Sequence, residues 1–223
     1  MRGLTVLLFA VVLLGGLAFA ADQVVTGMAE QRVAGEFEQS VGGDATAQLD
    51  GWPVSLGLLR GEVPEATINA TAVPLRDVAV VLPRLDVQLI DVTLPYAGGG
   101  AEALSASTGR FTATVDQAAL TGIVAAAGVP DGAQVQIAGD VLQVLVQGIT
   151  VDLDISARDG ALVVAPTNGL FSALSGGERA FPLTGLPPGT SLDTVQVSGG
   201  TVILAGPLDL ATLVAAQAAQ PQP

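Results

Sequence analysis

Residues 51–61 run Gly51-Trp52-Pro53-Val54-Ser55-Leu56-Gly57-Leu58-Leu59-Arg60-Gly61. A short alternating segment, Ala45 to Asp50, precedes them, and a longer one, Glu65 to Val73, follows. The Gly-aromatic-Pro start ends a strand, because proline supplies no ladder donor. The Leu58-Leu59 pair suits a buried turn of helix, and Gly61 closes that turn and returns the chain to extended structure. The stretch therefore predicts strand, short helix, strand.

Outward from it, the hydrophobic period is mostly two. Ile68, Ala70 and Ala72 alternate with Thr67, Asn69 and Thr71, and Leu85, Val87 and Leu89 alternate with Asp86 and Gln88. Ile90 then follows Leu89 directly, and Val92 and Leu94 continue in the opposite phase. Such a flip predicts a β-bulge and a strong bend at Leu89-Ile90. Phe111, Ala113 and Val115 form another alternating set. So do Ile149, Val151, Leu153 and Ile155, facing away from Thr150, Asp152, Asp154 and Ser156. Two strands, Val78–Leu94 and Val141–Ser156, are expected to be far longer than the typical five or six residues. Asp159-Gly160 and Gly199-Gly200 are hairpin turns, with Gly139-Asp140 a weaker third. Ala97 to Gly109 is expected to be a loop. Asp116 caps a helix through Leu120, Ile123 and Val124 that stops at Gly128-Val129-Pro130, and Pro207 opens a short last helix. Residues 22–39 form an amphipathic helix whose Val25, Ala29, Val33 and Phe37 stripe packs on the sheet, with Glu30, Glu36 and Glu38 off that line. The order predicts an α+β fold: a long, curved, mostly antiparallel sheet wrapped around a helix.

Length and charge narrow the function. The 223 residues suit one domain, 21–219, with a targeting segment at 1–20 and a frayed tail at 220–223. Net charge is −13, and all eight cations are arginine. Nucleic acid, whose binding rests on clustered cations, is not an expected partner. Cysteine and histidine are both absent, which removes disulfides, thiolate zinc sites, cysteine nucleophiles and histidine triads. Arg2 is the only charge before Asp22, and the central block Leu4 to Leu14 suits a signal-peptide core. Ala18-Phe19-Ala20 gives a cleavage-like site, with Ala21 as the expected first mature residue. The alternative is an uncleaved anchor. Either outcome puts the domain outside the cytoplasmic membrane, in the cell envelope or periplasm.

No catalytic constellation stands out. Asp152 and Asp154 alternate on one strand, with carboxyls roughly 6–7 Å apart as in some glycosidases. A solvated outer face explains them better, since no aromatic sugar platform accompanies them. Asp152, Asp154, Asp159 and Gly160 miss the EF-hand spacing, so no metal is expected. Ser172, Ser175, Gly176 and Gly177 form no nucleophile elbow, and Gly98-Gly99-Gly100 lacks the lysine of a phosphate loop. Asn69-Ala70-Thr71 is a glycosylation sequon placed mid-strand. No enzymatic activity and no cofactor are expected. Trp52, the only tryptophan, fits either turn packing or a boundary between an apolar interior and a polar surface.

The 51–61 segment resembles the signature of the LmeA family, actinobacterial phospholipid-binding proteins of the cell envelope. Gly51, Pro53, Leu58, Leu59 and Gly61 fall on the family pattern, whereas Val54 and Ser55 stand where the family usually has Phe-Leu. The strand–helix join Thr112–Leu120 and the Leu85-Asp86-Val87 alternation extend the likeness over roughly residues 22–216. The resemblance implies a tubular lipid-binding fold and a noncatalytic role, holding acyl chains in an apolar groove. The groove expected from it is lined by Leu58, Leu59, Leu85, Val87, Leu89, Val151 and Leu153, with Trp52 at its mouth and Arg60 on the phosphate. Burying a chain gains about 0.8 kcal/mol per methylene, which outweighs the roughly 1 kcal/mol per charge that an acidic surface costs at an anionic membrane. The alternative is a membrane-anchored scaffold that supports an envelope protein partner through a sheet edge or apolar patch.

Overall fold

The computed structural model describes residues 22–39, 41–51, 54–75, 80–93, 105–126, 134–146, 148–167, 177–181 and 189–212. The expected leader 1–20, the tail 220–223, Trp52, Pro53, residues 97–104 of the expected loop and the helix stop at 128–130 lie outside them.

The 51–61 reading holds. After helix α1, residues 22–39, strand β1 (Asp44–Asp50) leads into helix α2 (Val54–Arg60), which leads into β2 (Glu62–Pro74). Gly61 sits at φ 76° and donates its N–H to Leu58 O at 3.1 Å, a left-handed helix stop that favours glycine. β3 (Val81–Thr93) and β4 (Ser105–Val115) follow, then α3 (Gln117–Ala126). The Asp116 carboxylate caps α3, accepting Ala119 N–H at 2.8 Å as expected. β4 begins at Ser105, so Ser105–Gly109 are strand rather than loop: their backbone pairs with β3 from Thr93 to Leu89.

The strands divide into two antiparallel sheets. β5 (Gln134–Ala138), β6 (Val141–Val146), β7 (Ile149–Arg158), β8 (Ala161–Pro166) and β9 (Arg179–Phe181) form a five-stranded meander. β10 (Thr194–Ser198) and β11 (Thr201–Pro207) then return to the first sheet, whose order is β1-β2-β3-β4-β11-β10. The five-stranded sheet is thus inserted between β4 and β10. Gly139-Asp140, Asp159-Gly160 and Gly199-Gly200 are all hairpin turns, with the four glycines Gly139, Gly160, Gly199 and Gly200, and Asp159, at positive φ. The expected single strand Val141–Ser156 is two strands. Gly148, at φ 82°, turns the chain so that Val146 pairs with Ile149. Pro207 does not open a helix either; it ends β11, and Asp209 caps the helical residues 210–212. Its Oδ1 accepts Ala211 N–H at 3.0 Å, and the Thr212 hydroxyl donates to Oδ2 at 2.6 Å. The Thr212 hydroxyl, first, and the backbone N–H groups hold the Asp209 carboxyl below its ordinary range.

Helix α1 is tied along the open edge of the first sheet. The Glu38 carboxylate accepts Ala45 N–H at 2.8 Å, and Glu30 accepts Leu49 N–H at 3.0 Å. Eight helical residues and four extended ones both cover about 12–13 Å, so the two carboxylates meet the edge donors of β1 in step. Ala29, Val33 and Phe37 pack on the core, and Ala34 is buried. Val25 departs from the expected stripe; with Val24 and Met28 it is exposed on the first two turns.

β2 and β3 each keep one apolar face through two changes of phase. Val63, then Ala66, Ile68 and Ala70, then Val73 are buried along β2; Leu82, then Leu85, Val87 and Leu89, then Val92 along β3. The pairing between the strands skips two positions, Pro64 opposite Asp91 and Ala72 opposite Pro83. Asp91 has φ 51° and Ala72 φ 53°. One left-handed residue in each strand absorbs the odd step, and the proline across from it asks for no ladder bond. The flip expected at Leu89-Ile90 is therefore displaced: Ile90 is exposed, Asp91 carries the distortion, and Val92 resumes the inward phase. On the same face Phe111 is fully buried at the middle of the sheet, opposite Val87 on one side and Gly206 on the other.

Candidate functional site

The two skipped positions each border a cavity. The first, about 530 Å³, lies beside α2 and is lined by Gly51, Val54, Leu56, Gly57, Arg60, Glu62, Val63, Pro64, Asp91 and Thr93. Its size falls in the range of small-molecule sites. The sequence builds it directly. Gly57 lets α2 approach β2, since a Cβ there would stand 2.5 Å from Glu62 O. Leu56 and Arg60 are four apart on one helix face, and both are exposed. Val54 and Val63 supply a buried apolar wall. Asp91 lines the cavity and is exposed; the Ser107 hydroxyl lies 2.9 Å from Asp91 Oδ2 and 3.1 Å from Ile90 O.

Arg60 differs from the other arginines whose side chains are described. Arg32 pairs with Glu36, Arg84 with Asp86, Arg110 with Asp193 and Arg158 with Glu178. Arg60 has no ion pair among the described residues, although Glu62 and Asp91 line the same cavity. A cation in the last turn of α2 complements that helix end, which accounts for a basic residue there. Its unpaired guanidinium on a half-apolar cavity is what an anion would meet first.

The expected groove residues fall in three places. Arg60 lines the cavity. Leu58 is partly buried against the core, and the Leu59 and Trp52 side chains are outside the described set. Leu85, Val87 and Leu89 are buried in the core beneath the first sheet. Val151 is buried and Leu153 half-buried on β7 of the other sheet, so the structure does not bring these two to the cavity. The outer face of β7 is as expected: Asp152 and Asp154 are exposed, and Asp152 Oδ1 accepts Gln143 Nε2 at 2.7 Å. Sequence reading missed Glu62, Pro64 and Asp91. The signal was present, since Pro64 and Pro83 interrupt strand patterns and Ile90-Asp91 breaks the alternation.

The second cavity, about 540 Å³, is lined by Thr71, Ala72, Val80, Val81, Pro83, Asp116, Ala118 and Ala119. Its one carboxylate already caps α3. Among the described residues no group of His, Cys, Asp or Glu is arranged to hold a metal ion, and no helix is long and apolar enough to cross a membrane.

These features define an α+β protein on an open, curved antiparallel sheet, with helices against its apolar face and a half-charged cavity at one end of its central hairpin. The sequence profile of the LmeA-like phospholipid-binding family matches residues 20–206, and the chain belongs to that family. No curated protein and no solved structure matches it.

Proposed function

We propose that the chain is a noncatalytic phospholipid-binding protein of the bacterial cell envelope and that the cavity beside α2 receives the lipid phosphate. The carrying observation is Arg60, unpaired among the described residues and lining a cavity with an apolar wall of Val54, Leu56 and Val63. A phosphate ester docks on the guanidinium, and the acyl chains leave along the apolar face of the sheet, from Val63 toward Leu89, Val87 and Leu85. Leu58, partly buried against the core, is the α2 side chain assigned to the border of that route. Where it stays uncleaved, the nonpolar stretch before residue 22 holds the domain at a bilayer, and the exposed Val24, Val25 and Met28 at the start of α1 extend that apolar surface.

The test is native mass spectrometry of the protein purified from membranes, with Arg60→Ala and Leu58→Gln alongside. The wild type is expected to carry phospholipid, and Arg60→Ala to lose it with its melting temperature kept. Leu58→Gln is expected to lose lipid, with destabilisation of roughly 1–3 kcal/mol if the side chain is also core. A wild type that never carries lipid overturns the reading in favour of a scaffold for an envelope protein partner.

A further inference from the structure

The cavity beside α2 holds more acceptors than a phosphate needs. Around it stand one cation, Arg60, and two carboxylates, Glu62 and Asp91, with the Thr93 hydroxyl beside them. A bare phosphate entering there meets one favourable charge and two unfavourable ones. Carboxylates accept hydrogen bonds and donate none, so they need donors from the ligand or from water.

The fold itself does not ask for an acid at position 91. The hairpin β2–β3 makes the same distortion twice, and at its other end the left-handed residue opposite proline is Ala72. Alanine occupies that geometry there, so the bend does not require a carboxylate, although aspartate adopts a left-handed φ with less strain. Ser107 orients one of the Asp91 carboxylate oxygens, Oδ2; the other has no donor among the described residues. Glu62 likewise has no ion pair among the described residues and is exposed at the first position of β2. A guanidinium and two acceptor groups on one rim match a ligand that is anionic at one atom group and hydrogen-bond-donating next to it.

Resting on the phospholipid reading above, we infer that Asp91 and Glu62 select the headgroup: a phosphate esterified to a group carrying N–H or O–H donors, either an ammonium or a polyol. Arg60 takes the phosphate that all phospholipids share. Asp91 and Glu62 take the donors that phosphatidic acid and phosphatidylcholine lack outside the phosphate.

The experiment uses phosphatidylcholine vesicles, alone or doped in turn with phosphatidylethanolamine, phosphatidylinositol and phosphatidic acid, and quantifies the lipid extracted by the protein. Phosphatidylethanolamine or phosphatidylinositol is expected to exceed phosphatidic acid and phosphatidylcholine by on the order of tenfold, the size of one charge-assisted hydrogen bond. Asp91→Asn separates the two sources. It keeps an acceptor but loses the charge, so ethanolamine binding falls about tenfold while inositol binding falls less. Glu62→Gln shifts the same ratios in the same direction, and Arg60→Ala lowers all four lipids together. Asn tolerates positive φ, so the position 91 variant is expected to fold, which its melting temperature checks. Equal extraction of all four lipids by the wild type, or an unchanged profile in both carboxylate variants, overturns the headgroup assignment and leaves phospholipid binding standing. Extraction of none overturns both.

Discussion

The two ends of the β2–β3 hairpin share a geometry and differ in chemistry. Each end has a proline facing a left-handed residue, a skipped pair in the ladder, a helix alongside and a cavity of about 530–540 Å³. At the Pro64–Asp91 end the cavity carries Arg60, Glu62 and Asp91. At the Ala72–Pro83 end it carries Thr71, valines, alanines and an Asp116 already engaged with the α3 backbone. The bend is thus a device of the backbone, needed to keep one apolar face along strands of 13 residues. The charged groups are a separate addition at one end. Comparing the ends separates what folds this protein from what the proposed lipid site adds.

The strongest way to break the comparison is to remove the residue both ends lean on. Phe111 fills the sheet's centre, opposite Val87 and Gly206, and is fully buried. Phe111→Ala is expected to cost about 3–5 kcal/mol, from lost burial and a cavity that neighbouring strands close only in part. Urea unfolding followed by tryptophan fluorescence and by circular dichroism measures it. Both probes are expected to shift together. A loss under about 1 kcal/mol would mean that the sheet repacks and that its ends are not coupled through this position.

Each end also depends on a glycine under its helix, and these give a sharper contrast. At Gly57 an added Cβ stands 2.5 Å from Glu62 O, a backbone atom that cannot swing aside. At Gly122 it stands 2.4 Å from Val80 Cγ2, the end of a side chain. Gly57→Ala is expected to cost roughly 1–3 kcal/mol and to reduce lipid retention, because α2 must lift from β2. Gly122→Ala is expected to cost less, since a side-chain end can shift where a backbone carbonyl cannot, while both variants regain about 1 kcal/mol of helix propensity. It should leave lipid retention unchanged. Equal loss of lipid in both variants would show that the cavity beside α2 is not the privileged end.

Much of this is legible in the sequence. Gly51 to Gly61 gave strand, helix and strand in order, because glycine, proline and a leucine pair each have a local physical meaning. The three hairpin turns were legible for the same reason, and so were the Asp116 cap and the α+β class. What was not legible depended on partners distant in sequence. Nothing local says that Val141–Ser156 folds back at Gly148, since a turn there competes with a run of alternating residues that favours extension. Nothing local says that Glu30 and Glu38 serve β1 rather than solvent, because their donors lie 19 and 7 residues away. The apolar set Leu85, Val87, Leu89, Val151 and Leu153 was correctly read as inward-facing. Alternation reports which way a side chain points, however, and not whether that side is filled by protein or open to a ligand. The charged cavity was missed for a related reason: Asp91 and Glu62 read as solvated residues until the pairing of β2 with β3 placed them together.

The smallest expected effect concerns the left-handed residues themselves. Ala72 and Asp91 hold nearly the same φ, yet they are not equally suited to it. Alanine has no polar group to offset the crowding of its Cβ, a strain of roughly 1–2 kcal/mol. Aspartate visits this region more readily, and Asp91 also has the Ser107 hydroxyl bond. Replacement by glycine removes the strain at either site but adds about 0.5–1 kcal/mol of unfolded-chain entropy. Ala72→Gly is therefore expected to stabilise slightly, by up to about 1 kcal/mol. Asp91→Gly is expected to be neutral or to destabilise by about 1 kcal/mol, since it also loses that hydrogen bond. Thermal melts of the two variants decide it. If Ala72→Gly gains stability and Asp91→Gly does not, the aspartate contributes to the fold as well as to the rim. If both gain equally, Asp91 is as strained as alanine would be, and its carboxylate is retained for the ligand alone.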